Sequence, residues 1–171
     1  LTWDIRMKKP NQGEYLTTGA AHTLEHLFAT YARNSAVKDG VIYVGPMGCR
    51  TGFYLLTRGL PPAQALELTV DSFRIMAAFE GDIPGASEVE CGNYRDMDLP
   101  AAKAEAAAML PVLEALTADQ LHYYAIQQKT SPCRQHLHRE VFLRFRKALL
   151  RSAYSTMMLL PVISAGTGRP I

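Results

Sequence analysis

The segment "HTLEH", residues 22–26, places two imidazoles and a carboxylate within five positions. On an α-helix, positions i and i+4 lie one turn apart on the same face, so His22 and His26 can converge on one cation. Glu25 borders that face. This is the inverted zincin pattern H-x-x-E-H, in which the histidines bind a metal and the glutamate moves protons. On spacing alone, metal binding and a pair of ordinary hydrogen-bonded histidines remain equally open.

Two cysteines extend this chemistry. Zinc or iron needs at least a third protein ligand, and Cys91 is a candidate because Gly92, in "ECGNY", lets the backbone turn sharply beside it. Cys49 lies in "GPMGCRTG", where the adjacent Arg50 or a nearby metal would lower the thiol pKa and provide a base or nucleophile. The alternative for both cysteines is the common one, a small buried apolar side chain.

A helix must position the opening motif. Leu24, Leu27, Phe28 and Tyr31 recur at spacings of three and four, which predicts an amphipathic helix from Ala21 to about Ser35. Thr17 or Thr18 is expected to cap its start. The two histidines therefore lie on a helix rather than in a loop.

Three segments are typical of strands: "LTWDIRMKK", "VIYVG" and "RTGFYLLTRG", the last two joined by the tight "PMGC" turn. Pro61 and Pro62 predict the start of a second helix, which runs to about Glu80. "EVECGNY" is typical of a short strand or extended turn, and "LPAAKAEAAAMLPVLEALT" predicts a helix that Pro111 kinks or divides. These elements predict an α+β fold, an antiparallel sheet with helices packed on one face in a single pair of layers.

Composition supports a globular chain. Of 171 residues, 48% are hydrophobic and 20% charged, which excludes a mainly disordered or membrane-spanning chain. The start lacks a secretory signal, and the longest apolar stretch is far shorter than the ~20 residues that span a bilayer. Three cysteines cannot all pair within the chain, which favours a reducing, cytoplasmic location.

Charge divides the chain into a domain over residues 1–125 and a basic tail over 126–171. The first carries 10 Lys/Arg and 15 Asp/Glu, a net −5; the second carries 8 Lys/Arg and one acid, a net +7. The tail's apolar residues are spaced as in a basic amphipathic helix: Val141, Phe142, Phe145, Leu149 and Leu150.

Three interpretations of this tail compete. It is an arm for nucleic acid or membrane surfaces, a second metal site from Cys133, His136 and His138, or a non-native, poorly ordered extension. We favour the third, because the loss of acidic residues is abrupt. It predicts that deleting residues 126–171 leaves folding and metal content unchanged.

Taken together, "HTLEH", "PMGCRTGFY" and "ECGNY" resemble the S-ribosylhomocysteine lyase (LuxS) family, which makes the precursor of autoinducer-2, and the likeness runs over residues 4–124. The resemblance implies that His22, His26 and Cys91 bind one Fe²⁺ or Zn²⁺ per subunit. It implies that Cys49 and Glu25 transfer protons. Arg6 matches a substrate-contacting arginine of the family, and Tyr43 stands at a second substrate-binding position.

The implied reaction cleaves S-ribosylhomocysteine to homocysteine and 4,5-dihydroxy-2,3-pentanedione by metal-assisted carbonyl migration and β-elimination. The metal acts as a Lewis acid on the sugar. The implied partners are this small molecule and a second subunit, in a homodimer with sites at the interface, and neither nucleic acid nor membrane.

Some residues depart from the family pattern. The family's N-terminal segment, with a substrate-contacting serine and histidine, is missing before Leu1, and Tyr43 and Gly45 replace the usual aspartate and serine. A catalytically silent metal-stabilised domain therefore remains an alternative. A less favoured one is an inverted-motif metallopeptidase with Glu80 or Glu88 as third ligand.

Overall fold

A computed structural model describes residues 1–121 and, as backbone alone, one further strand near the C-terminal end. Four strands and three helices make up this part of the chain: β1 Thr2–Arg6, α1 Thr18–Asn34, β2 Val41–Pro46, β3 Gly52–Thr57, α2 Pro62–Ala78, α3 Leu99–Glu114 and β4 Thr156–Leu160. The strands form one sheet in the order β2-β3-β1-β4. All neighbours are antiparallel. The predicted α+β fold, with helices packed on an antiparallel sheet, is confirmed.

An aromatic cluster joins the helices to the sheet. Phe28 of α1 meets Phe53 of β3 and Phe73 of α2 edge to face, with ring centroids 6.3 and 5.7 Å apart. All three side chains are fully buried. The Trp3 indole N–H, on β1, donates to the Thr57 hydroxyl at 2.9 Å, which satisfies its one polar atom inside the core.

Helix α1 begins at Thr18, three residues before the predicted Ala21, and its cap is one of the two predicted threonines. The Thr17 hydroxyl accepts a hydrogen bond from the Ala20 amide at 3.1 Å, so Thr17 is the N-cap. Leu24, Leu27 and Phe28 are buried against the sheet, whereas the two histidines of the motif are half-buried. The metal-binding pattern thus lies at the border between core and solvent.

One expectation about a later element is corrected. Helix α3 runs through Pro111 as a single element, so of the two effects predicted for this proline, a kink or a division of the helix, the division does not occur. The carbonyl of Ala107, which loses its helical partner, belongs to an exposed residue that water can reach.

The segment around Cys91 is a turn rather than a strand. The amides of Glu90 and Cys91 both donate to the Ser87 carbonyl, at 3.2 and 2.9 Å. Of the two forms that "EVECGNY" allows, the structure has the turn. This tight turn presents the Cys91 side chain toward α1.

Strand β4 is the part of residues 126–171 that the structure describes, and it pairs with β1 from Thr2↔Leu160 to Arg6↔Thr156. The proposed basic helix and the Cys133, His136 and His138 cluster lie outside the described residues. The division of the chain at residue 125 stays a prediction. None of the described helices is long and apolar enough to cross a membrane.

Candidate metal centre and proton-transfer site

Three predicted metal ligands meet at one point. One ligand atom each from His22, His26 and Cys91 lies within 4.8 Å of the others, and all three residues are half-buried. The Cys91 Sγ is 3.4 Å from His22 Nε2, and the two imidazole rings stand edge to face with centroids 4.9 Å apart. Two imidazoles and a thiol form a donor set that suits zinc or iron.

Backbone carbonyls orient both imidazoles. His22 Nδ1 lies 3.1 Å from the Asp96 carbonyl oxygen, and His26 Nδ1 lies 2.8 Å from that of Pro84. A carbonyl only accepts, so in each neutral ring Nδ1 carries the proton and donates it. The lone pair is therefore on Nε2, which is free to bind a cation.

The loop beside His26 depends on a glycine. Gly85 has φ +71°, and a Cβ built on it would lie 3.3 Å from His26 Nδ1. A larger residue here would be strained in its backbone and would crowd the imidazole. The loop after α2 that contains Pro84 and Gly85 thus positions a ligand.

The carbonyl that holds His22 is fixed between two helices. Two residues after Asp96, the Asp98 amide donates to the buried Thr23 hydroxyl on α1 at 2.9 Å. The Asp98 carboxylate in turn caps α3 by accepting from the Ala101 amide at 3.0 Å. Thr23 therefore ties the start of α3 to the helix that carries both histidines.

The cluster of His22, His26 and Cys91 opens into a cleft of about 650 Å³. Besides the three ligands, its lining includes Glu25 and Tyr43. A second groove, of about 530 Å³, lies between α2 and the end of α3, and no histidine or cysteine lines it. Of these two cavities, the cleft beside His22 is the one whose lining contains metal-binding side chains.

Cys49 belongs to a second cluster, with Arg6 and Thr51. Its Sγ is 2.9 Å from the Thr51 hydroxyl and 3.9 Å from an Arg6 guanidinium nitrogen, which also donates to that hydroxyl. The hydrogen bond from Thr51 lowers the pKa of the Cys49 thiol, and the positive charge of Arg6 adds to the effect. The expected cation, Arg50, does not contribute: the neighbouring charge comes from β1.

Asp4 holds Arg6 in place. The guanidinium makes two hydrogen bonds to its carboxylate, Nε to Oδ1 at 3.1 Å and an Nη to Oδ2 at 2.5 Å. Burial raises the pKa of the Asp4 carboxyl, and its hydrogen bond to Arg6 acts in the opposite direction. This two-point contact fixes the plane of the guanidinium beside the Cys49 thiol.

Comparison with known proteins agrees with this geometry. The sequence model of the S-ribosylhomocysteinase (LuxS) family matches residues 1–119. The chain belongs to the LuxS family. The S-ribosylhomocysteine lyase of Phocaeicola vulgatus is 52% identical over 125 residues, which cover 71% of this chain and 78% of that protein. That of Thermus thermophilus is 51% identical over 109 residues, 63% of this chain and 68% of the relative.

A third relative, the S-ribosylhomocysteine lyase of Clostridium beijerinckii, is 50% identical over 104 residues, 60% of this chain and 65% of its own length. The resemblance drawn from three short motifs is thereby confirmed. As expected of a LuxS chain, the His22, His26 and Cys91 cluster can hold a metal ion.

The predicted site residues of this LuxS chain fall into two groups. Glu25 and Tyr43 line the cleft with the three ligands, whereas Arg6 and Cys49 are not part of its lining. Sequence reasoning missed Asp4 and Thr51. Asp4 had a signal, because residues two apart on a strand share a face. For Thr51 the sequence gives no such signal beyond its position two residues after Cys49.

Proposed function

We propose that this chain is a carbon–sulfur lyase that cleaves S-ribosylhomocysteine into homocysteine and 4,5-dihydroxy-2,3-pentanedione, the precursor of autoinducer-2. The observation that carries the proposal is the convergence of His22, His26 and Cys91 in an open cleft. Family membership supplies the reaction. The proposed role of the reaction is either supply of a quorum-sensing precursor or recycling of a by-product of the methyl cycle.

The proposed cofactor is one Fe²⁺ or Zn²⁺ per subunit, held by His22 Nε2, His26 Nε2 and Cys91 Sγ. The donor set fits, since both Nδ1 atoms are engaged with carbonyls and the Nε2 atoms keep their lone pairs for a cation. When bound, the ion supplies Lewis-acid polarisation of a sugar carbonyl or hydroxyl. Three protein ligands leave a coordination position for water or substrate.

Glu25 and Cys49 are proposed to transfer the protons. Carbonyl migration removes a proton from one sugar carbon and returns one to its neighbour, so it needs groups that both accept and donate. Glu25 lines the cleft beside the ligands. Cys49 has a lowered thiol pKa, which favours the thiolate as a base, and Arg6 beside it is proposed to contact the substrate.

We also propose a homodimer with active sites at the subunit interface. Support comes from the separation of the two clusters, because Cys49 does not line the cleft that contains Glu25. A mixture of His22→Ala and Cys49→Ala chains tests it. If subunits share sites, mixing and re-equilibrating two inactive variants restores about a quarter of wild-type activity. No recovery in a mixture shown to form heterodimers contradicts the shared site.

A cytoplasmic location is proposed as well. Cys49 and Cys91 are both free thiols in the structure, and a reducing compartment keeps them so. Fractionation of cells that produce the protein, with detection in the soluble cytoplasmic fraction, tests this. Its recovery outside that fraction contradicts it.

The deciding experiment adds S-ribosylhomocysteine to metal-loaded protein and follows free thiol with a chromogenic disulfide. Thiol release in step with substrate loss is expected. If metal analysis of the same sample shows bound metal and no thiol appears, the catalytically silent domain is the better account. For a metallopeptidase, Cys91→Ser would spare the metal. Neither Glu80 nor Glu88 belongs to the ligand cluster among the described residues.

A further inference from the structure

The side chain of Tyr43 lies across the backbone of Gly45. Both residues are on β2, two positions apart, so they share one face of the strand. A Cβ built on Gly45 would overlap the hydroxyl and the ring of Tyr43, with ring atom Cε1 only 2.7 Å away. The observed position of the ring therefore requires glycine at residue 45.

This ring forms part of the wall of the metal cleft. Tyr43 lines the cleft together with Glu25 and the metal ligands, and 44% of the residue is exposed. Within residues 1–121, the Tyr43 hydroxyl has no hydrogen-bond partner. The cleft lining thus includes an aromatic ring and a hydroxyl that no described residue engages.

We propose that Tyr43 and Gly45 act as a pair that binds the sugar part of the substrate. A polyhydroxylated chain offers both C–H groups, which pack on an aromatic face, and hydroxyls, which bond to the phenol. Gly45 contributes the empty space that the ring occupies. This inference rests on the proposed lyase function, and it assigns one cleft wall to the ribosyl portion of the substrate.

Single substitutions distinguish the contribution of the Tyr43 hydroxyl to substrate binding from that of its ring. Tyr43→Phe should raise KM about threefold to tenfold, the worth of one neutral hydrogen bond, with kcat within about twofold of wild type. Tyr43→Ala should raise KM further. The control is Ile42→Ala, an exposed neighbour on the same strand that does not line the cleft, and it should leave KM unchanged. Metal content and far-UV circular dichroism should stay as in wild type for all three.

A double-mutant cycle tests the pairing. Gly45→Ala alone should displace the ring and raise KM as Tyr43→Ala does. In the Tyr43→Ala background, adding Gly45→Ala should change KM by less than about twofold, because the ring it would displace is gone. Fully additive effects contradict the pair, even if Tyr43 itself contacts the substrate.

Equilibrium binding keeps this inference distinct from the proposed reaction. Calorimetric titration of S-ribosylhomocysteine into metal-loaded Cys49→Ala protein measures Kd without turnover. Adding Tyr43→Phe to that background should raise Kd about threefold to tenfold. If metal-loaded wild-type protein releases no thiol from S-ribosylhomocysteine, the proposed lyase activity is refuted. An unchanged Kd on loss of the Tyr43 side chain, or no binding at all, refutes this inference.

Discussion

The Sγ atom of Cys91 lies 3.4 Å from Nε2 of His22, although 69 positions separate the two residues. The helix that carries "HTLEH" supplies two imidazoles, and a turn after α2 supplies the thiol. Neither element makes a three-ligand site by itself. The fold, more than the motif, therefore decides whether this chain binds a metal.

Replacement of Cys91 by serine should abolish metal binding. A serine hydroxyl is a poor ligand for zinc or iron, and two imidazoles alone leave the ion with too few protein donors. Metal analysis after dialysis should fall from about one ion per chain to near zero. Cys49→Ser is the matched control and should retain the metal, because Cys49 lies outside the ligand cluster. Retention of metal by Cys91→Ser would refute the site.

Cys49 should react with iodoacetamide at a lower pH than an ordinary thiol. Its pKa is lowered from the usual 9.0, first by the hydrogen bond from Thr51 and further by Arg6, so the reactive thiolate forms earlier as pH rises. Mass spectrometry of the Cys49 peptide gives the rate at each pH.

Thr51→Val should move the midpoint of that profile upward, and Arg6→Met should move it in the same direction by less. A short synthetic peptide around Cys49 is the unfolded control. A midpoint in the protein equal to that of the peptide would contradict the lowered pKa.

Local features of the fold were predictable from the sequence. The 3.6-residue period of Leu24, Leu27 and Phe28 identified α1, and Thr17 is its cap, because both signals depend only on nearby residues. The candidate ligands followed from residue type, spacing and family likeness. For the segment that presents Cys91, the sequence predicted either a short strand or an extended turn, and the structure has a turn.

Contacts set by strand register were not predictable. In the β1–β3 pair Arg6 stands opposite Gly52, which brings the guanidinium beside Thr51 and Cys49. Gly52 is needed there, because a Cβ would overlap the Ile5 carbonyl oxygen. Sequence proximity favoured Arg50 as the cation near Cys49, but strand pairing selected Arg6.

Gly85→Ala should weaken metal binding without unfolding the protein. The substitution strains a residue at φ +71° and places a methyl group 3.3 Å from His26 Nδ1, so the imidazole must shift. Gly59→Ala is the matched control: its φ is +74°, but nothing lies within 4 Å of the added Cβ. Competition with a chromogenic chelator should show a lower metal affinity for Gly85→Ala than for Gly59→Ala. Equal affinities would contradict a positioning role for Gly85.

Thr23→Val should lower both stability and metal affinity. Valine has nearly the shape of threonine but cannot accept the hydrogen bond from the Asp98 amide, which leaves that N–H without its partner. We expect the free energy of unfolding to fall by about 1–3 kcal/mol, measured by urea titration of the metal-free protein. The affected segment also carries the Asp96 carbonyl that orients His22, so chelator competition should show weaker metal binding.

Thr69→Val provides the comparison for Thr23→Val. Thr69 is equally buried, but its hydroxyl only donates to the Ala65 carbonyl within α2, remote from the ligands. That carbonyl also accepts a bond from the helix backbone, so removing the hydroxyl leaves no buried group unpaired. Thr69→Val should therefore change stability less and leave metal affinity unchanged. If Thr23→Val binds metal as tightly as Thr69→Val, the link from Thr23 through Asp98 to the His22 imidazole does not contribute to the site.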